Sequence, residues 1–225
     1  TKDYQKGYIS GIMLGDGHLK LPCFRLAMKD NEAIIRTKKY LNIFGLTDIK
    51  IVTINRLEKS LGKHNNLYQI RSRRTDNYEK LMGIINLNGD MEFRRGFIAG
   101  FFDAEGSLSK QRQLRISNTN KNLINYLSQC LDYFNFKHTK TNLSKRNLRH
   151  NDSESIYIKG GIYEYIRFFN TFNPIIGRKK KNVLGTNFSK SSKNYLKVVS
   201  IEKNQSMKLY DIETSTENFI ADGLI

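Results

Sequence analysis

The chain has no tryptophan, only two cysteines and only two prolines among its 225 residues. Cys23 and Cys130 show no spacing that suggests a disulfide framework or a zinc knuckle, so a packed core must hold the fold and a reducing compartment is expected. Long apolar runs are also missing. Lys, Asn and Asp interrupt every hydrophobic stretch well before the roughly 20 residues that a bilayer span requires, and the opening TKDYQKGY lacks a signal-peptide pattern. A soluble intracellular protein is therefore expected, in the cytoplasm, nucleoid or an organelle matrix. His18, His64, His138 and His150 have no metal-ligand spacing and no Ser or Cys nucleophile pattern around them, which leaves them as surface or phosphate contacts. Acidic residues are scarce as well: 21 Asp and Glu face 38 Lys and Arg, for a formal charge of +17 and a pI near 9.8. That surplus points to a polyanion. Nucleic acid is favoured over a membrane surface, because the basic residues recur through predicted strands and turns with no basic amphipathic helix.

What is present in duplicate is more informative. Residues 7–17 (GYISGIMLGDG) and 96–106 (GFIAGFFDAEG) are near copies, each ending in a small residue, a carboxylate and a glycine. Gly7, Gly11 and Gly15 recur at helical spacing, as do Gly96, Gly100 and Ala104. Glycine inside a helix costs about 1 kcal/mol relative to alanine, so the repeated stripe implies that another backbone comes very close. The expected neighbour is the other helix, with Met13, Phe101 and Phe102 filling the flanks. Asp16 and Glu105 precede Gly17 and Gly106, a residue type that commonly ends helices in the left-handed conformation. Each acid then lies where the helix dipole disfavours negative charge. Two such acids side by side call for a cation, and carboxylate and carbonyl oxygens suit Mg²⁺ or another hard divalent ion, with the carbonyls of Gly15 and Ala104 as further candidate ligands. The alternative is two core helices whose acids are merely solvated at their ends.

These residues resemble a known family. Residues 9–17 (ISGIMLGDG) and 98–106 (IAGFFDAEG) look like the two motifs of a single-chain LAGLIDADG homing endonuclease. The second copy is the closer match, keeping Ala99, Gly100, Asp103, Ala104, Glu105 and Gly106, whereas the first departs at Leu14 and Gly15. The resemblance covers about residues 4–185.

Between the motifs the order of elements repeats. Alternating stretches at 18–20 and 24–29, and at 49–57 and 67–74, read as hairpins. Asp30 or Asn31 offers an N-cap to the helix between them, which Gly45 would end, and a helix over about 77–85 closes the half. The second half follows with 108–110 and 113–118, a helix capped by Asn120, then 138–145 paired with 155–159. Each half reads as αββαββα, an α+β pseudo-dimer whose two antiparallel sheets form a DNA-binding saddle around a central helix pair. The expected units are residues 1–90 and 91–185 as the two halves and 186–225 as a linker with a C-terminal β tail. Strand alternation nominates an outward basic face made of Lys20, Arg25, Lys29, Arg56, Arg71, Arg73, Lys110, Arg112, Arg115, Lys140 and Lys145. Such a face suits duplex DNA, whose major groove admits β-ribbons.

Similarity to the family implies a monomer that hydrolyses both strands of a long specific site with divalent metal ions, leaving short 3′ overhangs. Asp16 and Glu105 would be its metal-binding catalytic acids. The family also places a basic or amide side chain beside each scissile phosphate. Lys179, within residues 174–184 (PIIGRKKKNVL), matches the segment of the active-site lysine, and a phosphate-binding or solvated patch is its alternative. The first half has no clear counterpart, and where relatives often carry glutamine or lysine this chain has Met28 and Lys29, against Asn118 and Thr119 in the second half.

Beyond a linker at 185–194, residues 196–202 and 209–225 resemble the last strands of a Hint (intein) domain, without its terminal His-Asn. With no N-terminal splicing half before Thr1, the polypeptide is expected not to splice. A piece of a larger intein, a free-standing endonuclease with a vestigial tail, and a plain β-hairpin all remain open. The rival functions are an RNA maturase or transcription regulator that binds without cutting, and a splicing domain.

Overall fold

The computed structural model describes residues 1–58, 63–109, 113–143 and 153–180. The tail and its intein-like strands, with Lys110, Arg112 and Lys145, lie outside the described residues. The order of elements is α1 (Lys2–Asp16), β1 (Gly17–Lys20), β2 (Cys23–Met28), α2 (Asn31–Ile43), β3 (Ile51–Glu58), β4 (Lys63–Ser72) and α3 (Thr75–Ile84), followed by α4 (Met91–Glu105), β5 (Gly106–Leu108), β6 (Leu114–Asn118), α5 (Lys121–Tyr133), β7 (His138–Leu143), β8 (Ser153–Ile158) and α6 (Gly161–Phe172). A short 3₁₀ turn, Gly177–Lys179, follows α6. The αββαββα reading holds in both halves. Each half has one antiparallel four-stranded sheet, ordered β1-β2-β4-β3 and β5-β6-β8-β7.

Helix ends follow local chemistry. Thr1 and Asp90 accept hydrogen bonds from Tyr4 N and Phe93 N to open α1 and α4, and Asn120 accepts from the first amides of α5. Asp30 occupies the N-cap position of α2 without capping it, because its carboxylate is taken by the Arg178 guanidinium at 2.6 and 2.7 Å. The chain leaves α2 through Gly45 at φ 74°, as expected.

The glycine stripes do what their spacing implies. A Cβ on Gly7 or Gly11 would lie 2.0 Å from the carbonyl of Phe93 or 2.3 Å from that of Phe97, and on Gly96 or Gly100 it would lie 1.9 Å from that of Tyr4 or 2.2 Å from that of Tyr8. The contact is reciprocal, backbone against backbone. Met13, Phe101 and Phe102 are fully buried beside it. Gly17 and Gly106 depart from expectation: both are extended, at φ −76°, ψ 145° and φ −81°, ψ 152°. The helices run straight into strands, and glycine is needed there for room, since a Cβ would lie 2.3 Å from Met13 O or 2.2 Å from the Phe102 ring.

Each sheet packs one face on helices. Phe24, Leu26, Met28 and Ile70 are buried in the first, and Leu114, Ile116, Ile156 and Ile158 in the second. Among the described residues the second half adds an aromatic cluster absent from the first, in which Phe168 stacks edge-on with Phe102 at 5.2 Å and with Phe172 at 4.9 Å. Cys130 is buried and Cys23 half-buried, both as free thiols.

Candidate active site and nucleic-acid interface

Because α1 and α4 touch along their whole lengths, their last turns deliver Asp16 and Glu105 to the same end of the seam. A Cβ on Gly15 would lie 2.5 Å from the Ala104 Cβ and 3.2 Å from the Glu105 Cγ, so the two acidic ends meet directly. Glu105 is half-buried, and its Oε1 accepts from Asn118 Nδ2 at 2.6 Å. Burial pushes its carboxyl up to about 7, helped by the Asp16 carboxylate and opposed by Asn118 and Lys179. Burial raises Asp16 too, against the pull of Lys179. Two carboxylates whose ionisation is resisted by desolvation, that of Glu105 also by the Asp16 charge, form a donor set that a hard divalent cation relieves. Side chains alone do not make a metal cage: among the described residues no group of three or more His, Cys, Asp or Glu is placed to hold an ion.

Lys179 is brought to the same place. Its side chain is buried, and Nζ donates to the carbonyls of Phe102, Asp103 and Ala104 at 3.0, 2.7 and 3.3 Å. The Asp103 and Ala104 carbonyls are among those that the end of α4 leaves without an intrahelical partner, whereas that of Phe102 also accepts from Gly106 N. Desolvation pushes this ammonium down to about 8. One of the candidate metal-ligating carbonyls, that of Ala104, is thus already an acceptor, with its second lone pair remaining.

The residue that sequence reasoning missed is Asp103. It is fully buried, and it accepts from Tyr8 Oη at 2.8 Å, Ile175 N at 2.9 Å and Ile176 N at 3.1 Å. It ties the strap after α6 to α4, which sets Lys179 on the helix end. The strap also reaches the first half, where Arg178 pairs with Asp30, the Gly177 amide donates to Glu32 at 3.2 Å and Arg36 donates to the Asn173 carbonyl at 2.8 Å. A carboxylate inside an apolar helix was the available signal.

On the opposite sheet face the basic residues divide. Lys20 and Arg25 are exposed on β1 and β2, and Arg71 lies exposed opposite Arg25 on β4. Lys29 and Arg73 are exposed just beyond strand ends, and Arg115 is exposed on β6. Arg56 falls in β3 opposite Asn65, its side chain outside the described residues. Lys140 is a correction. It lies opposite the buried Ile156, so strand alternation turns it to the helix side, where Nζ pairs with Glu154 at 3.1 Å and with Asn125 of α5.

Residues 92–168 match the LAGLIDADG-like domain family, and residues 5–88 match the WhiA LAGLIDADG-like domain family. The structure is similar to that of the homing endonuclease I-DmoI, with a TM-score of 0.55 at 20% identity over 76% of this chain and 96% of that one. The chain carries a duplicated LAGLIDADG fold. A further I-DmoI structure, in complex with DNA and Mn, matches with a TM-score of 0.55 at 20% identity, over 76% of this chain and 97% of that one. Full-length DUF199/WhiA from Thermotoga maritima gives 0.57 at 16% identity, over 81% of this chain and 59% of that one. Comparison with curated proteins by sequence gives no significant match. No helix among the described residues is long and apolar enough to cross a membrane.

Within the LAGLIDADG frame the two halves superpose by register. Gly17 lies opposite Leu26 and Gly106 opposite Ile116, which makes Met28 the counterpart of Asn118 and Leu14 that of Asp103. Met28 is buried and offers Asp16 no donor of the kind that Asn118 gives Glu105.

Proposed function

We propose that this protein is a metal-dependent, site-specific double-strand DNA endonuclease acting as a monomer, built from LAGLIDADG halves at 1–90 and 91–185 with residues 186–225 as a Hint-like remnant. The observation that carries the reading is the meeting of Asp16 and Glu105 at the end of the α1–α4 seam, both resisting ionisation and both within the influence of Lys179. A bare pair of this kind costs stability, and a nuclease gives it a use.

Asp16, Glu105 and the carbonyls of Gly15 and Ala104 would hold Mg²⁺ or a similar ion. When bound, such an ion lowers the pKa of water and stabilises developing negative charge on phosphate oxygens. The chain's own residues set the stage. Asn118 fixes the Glu105 carboxylate, Asp103 and the strap fix Lys179, and the Lys179 cation, held by three α4 carbonyls, would act through its field on charge developing at a phosphodiester. The exposed Lys20, Arg25, Arg71 and Arg115 supply phosphate and base-edge contacts on the two sheets.

A second reading has a specific observation behind it: the first half matches the WhiA-type domain and lacks the equipment that surrounds Glu105. In that reading the protein is a transcription regulator or other nucleic-acid binder that does not cut. Incubating a randomised duplex library with Mg²⁺ and either wild type or the Asp16→Asn, Glu105→Gln double variant separates the two. Discrete double-strand cuts that vanish in the variant support the endonuclease. Tight site-selective binding without any cut overturns it in favour of the regulator.

A further inference from the structure

The outward faces of the two sheets differ in chemistry at equivalent positions. In the first sheet one cross-strand row is Ala27, Gln69 and Val52, and the next places Ile54 opposite Leu67. Val52 and Ile54 are 43% and 38% exposed, unusual for β-branched aliphatic residues in neighbouring outward positions on one strand. In the second sheet the matching row is Ser117, Ser155 and Thr141, with Leu143 opposite Ser153 after it. The two serine hydroxyls bond each other at 2.7 Å, which satisfies them internally. The first row presents the methyl groups of Ala27 and Val52, whereas in the second Ser155 is fully buried and Thr141 is the exposed member.

The aliphatic patch does not stand alone. Arg25 and Arg71 face each other one row away on the same outward face, and His18 lies opposite Arg25. An apolar strip beside paired guanidinium groups, on a chain of formal charge +17, fits a surface that is both anionic and locally apolar. The major groove of a duplex has both properties where thymine projects its C5-methyl group next to the phosphate backbone.

We propose that Val52 and Ile54 of β3, with Ala27 beside them, read thymine methyl groups, so that the half-site under the first sheet requires A·T pairs at fixed positions. The inference rests on the reading of the outward sheet face as the DNA-contacting one. Gln69, between Ala27 and Val52 in the row, is almost buried. Arg25 and Arg71 anchor the backbone at the same end. A second copy of the chain is the competing occupant, because β3 is an edge strand and an exposed aliphatic edge invites strand pairing.

The test uses binding, not cleavage. A duplex site is selected from a random pool by the full chain with Ca²⁺ in place of Mg²⁺, and each thymine is then replaced by uracil, which removes only the methyl. Affinity is read by fluorescence anisotropy for wild type and for the Val52→Thr, Ile54→Thr variant, which keeps β-branching and puts a hydroxyl in place of one methyl at Val52 and of the ethyl branch at Ile54. The expected result is a loss of about three- to fourfold per methyl at fixed positions in the half-site under the first sheet. In the variant the same uracil replacements cost measurably less than in wild type, while thermal stability is unchanged. Wild-type binding to a discrete site that is indifferent to uracil everywhere overturns the inference and leaves the endonuclease reading standing. Failure to select any site overturns both. A concentration-dependent dimer in sedimentation that the Val52→Thr, Ile54→Thr variant abolishes assigns the strip to a second copy and also overturns it.

Discussion

The two halves share a backbone plan and differ in nearly every side chain that would tune a reaction. Around Glu105 the second half gathers Asn118, Asp103 and Lys179, and behind them a cluster of phenylalanines. Around Asp16 the first half has Met28 and Leu14, and no strap lysine, because α3 passes through a short connection directly into α4. The helix pair explains how this is possible. Its glycine contacts are made by backbone on both sides, so they fix the frame in both halves and leave the surrounding positions free to diverge. Duplication preserved geometry where two main chains touch and relaxed chemistry where only side chains do.

The largest way to break the comparison is through the core. Phe168→Ala removes a fully buried ring that packs on four other phenylalanines near the α4 end, and is expected to cost about 3–5 kcal/mol in denaturant unfolding. Ile34→Val in the first half, equally buried, should cost only about 1 kcal/mol. Next comes chemistry: Glu105→Gln should reduce cleavage on the order of 10²–10³-fold with DNA affinity retained. A variant that cuts at the wild-type rate would remove Glu105 from the mechanism.

Acidity sharpens the contrast further. Glu105 is raised from 4.5 to about 7 in the folded chain, so folding favours its protonated form. Its contribution to stability is fully present below pH 4.5 and is lost as pH rises through about 7. Without divalent ions, melting temperature should therefore fall between pH 5 and 8. Mg²⁺ should restore it, and Glu105→Gln should flatten the dependence. A melting temperature that rises over this range would contradict the assignment. The smallest effect is expected from Asn118→Met, which gives the second half the first half's residue. Losing the hydrogen bond that stabilises the carboxylate should move the Glu105 titration higher by about one pH unit or less, measurable by NMR of the side-chain carboxyl. Unchanged titration would mean that Asn118 does not tune the acid.

Much of the fold was legible because its signals are local. Glycine every fourth residue named the helix seam, alternation of apolar and basic residues named the strands, and Asn120 and Gly45 marked helix boundaries that the structure keeps. The two acids were legible because they are repeated. Lys140 was misplaced because alternation gives two faces without saying which one is covered; the cross-strand partner Ile156 decided that.

By itself, then, the sequence determined that two glycine-striped helices end in adjacent carboxylates and that the chain carries a large positive surplus, since both follow from spacing and composition. Only the tertiary structure decided that Asp103 holds Ile175 and Ile176, that Lys179 closes three carbonyls of α4, and that an aliphatic row in one sheet matches a hydroxyl row in the other. The physical reason is distance along the chain. Those contacts join residues more than 70 positions apart or depend on strand register, and no periodicity encodes which distant groups share one buried space.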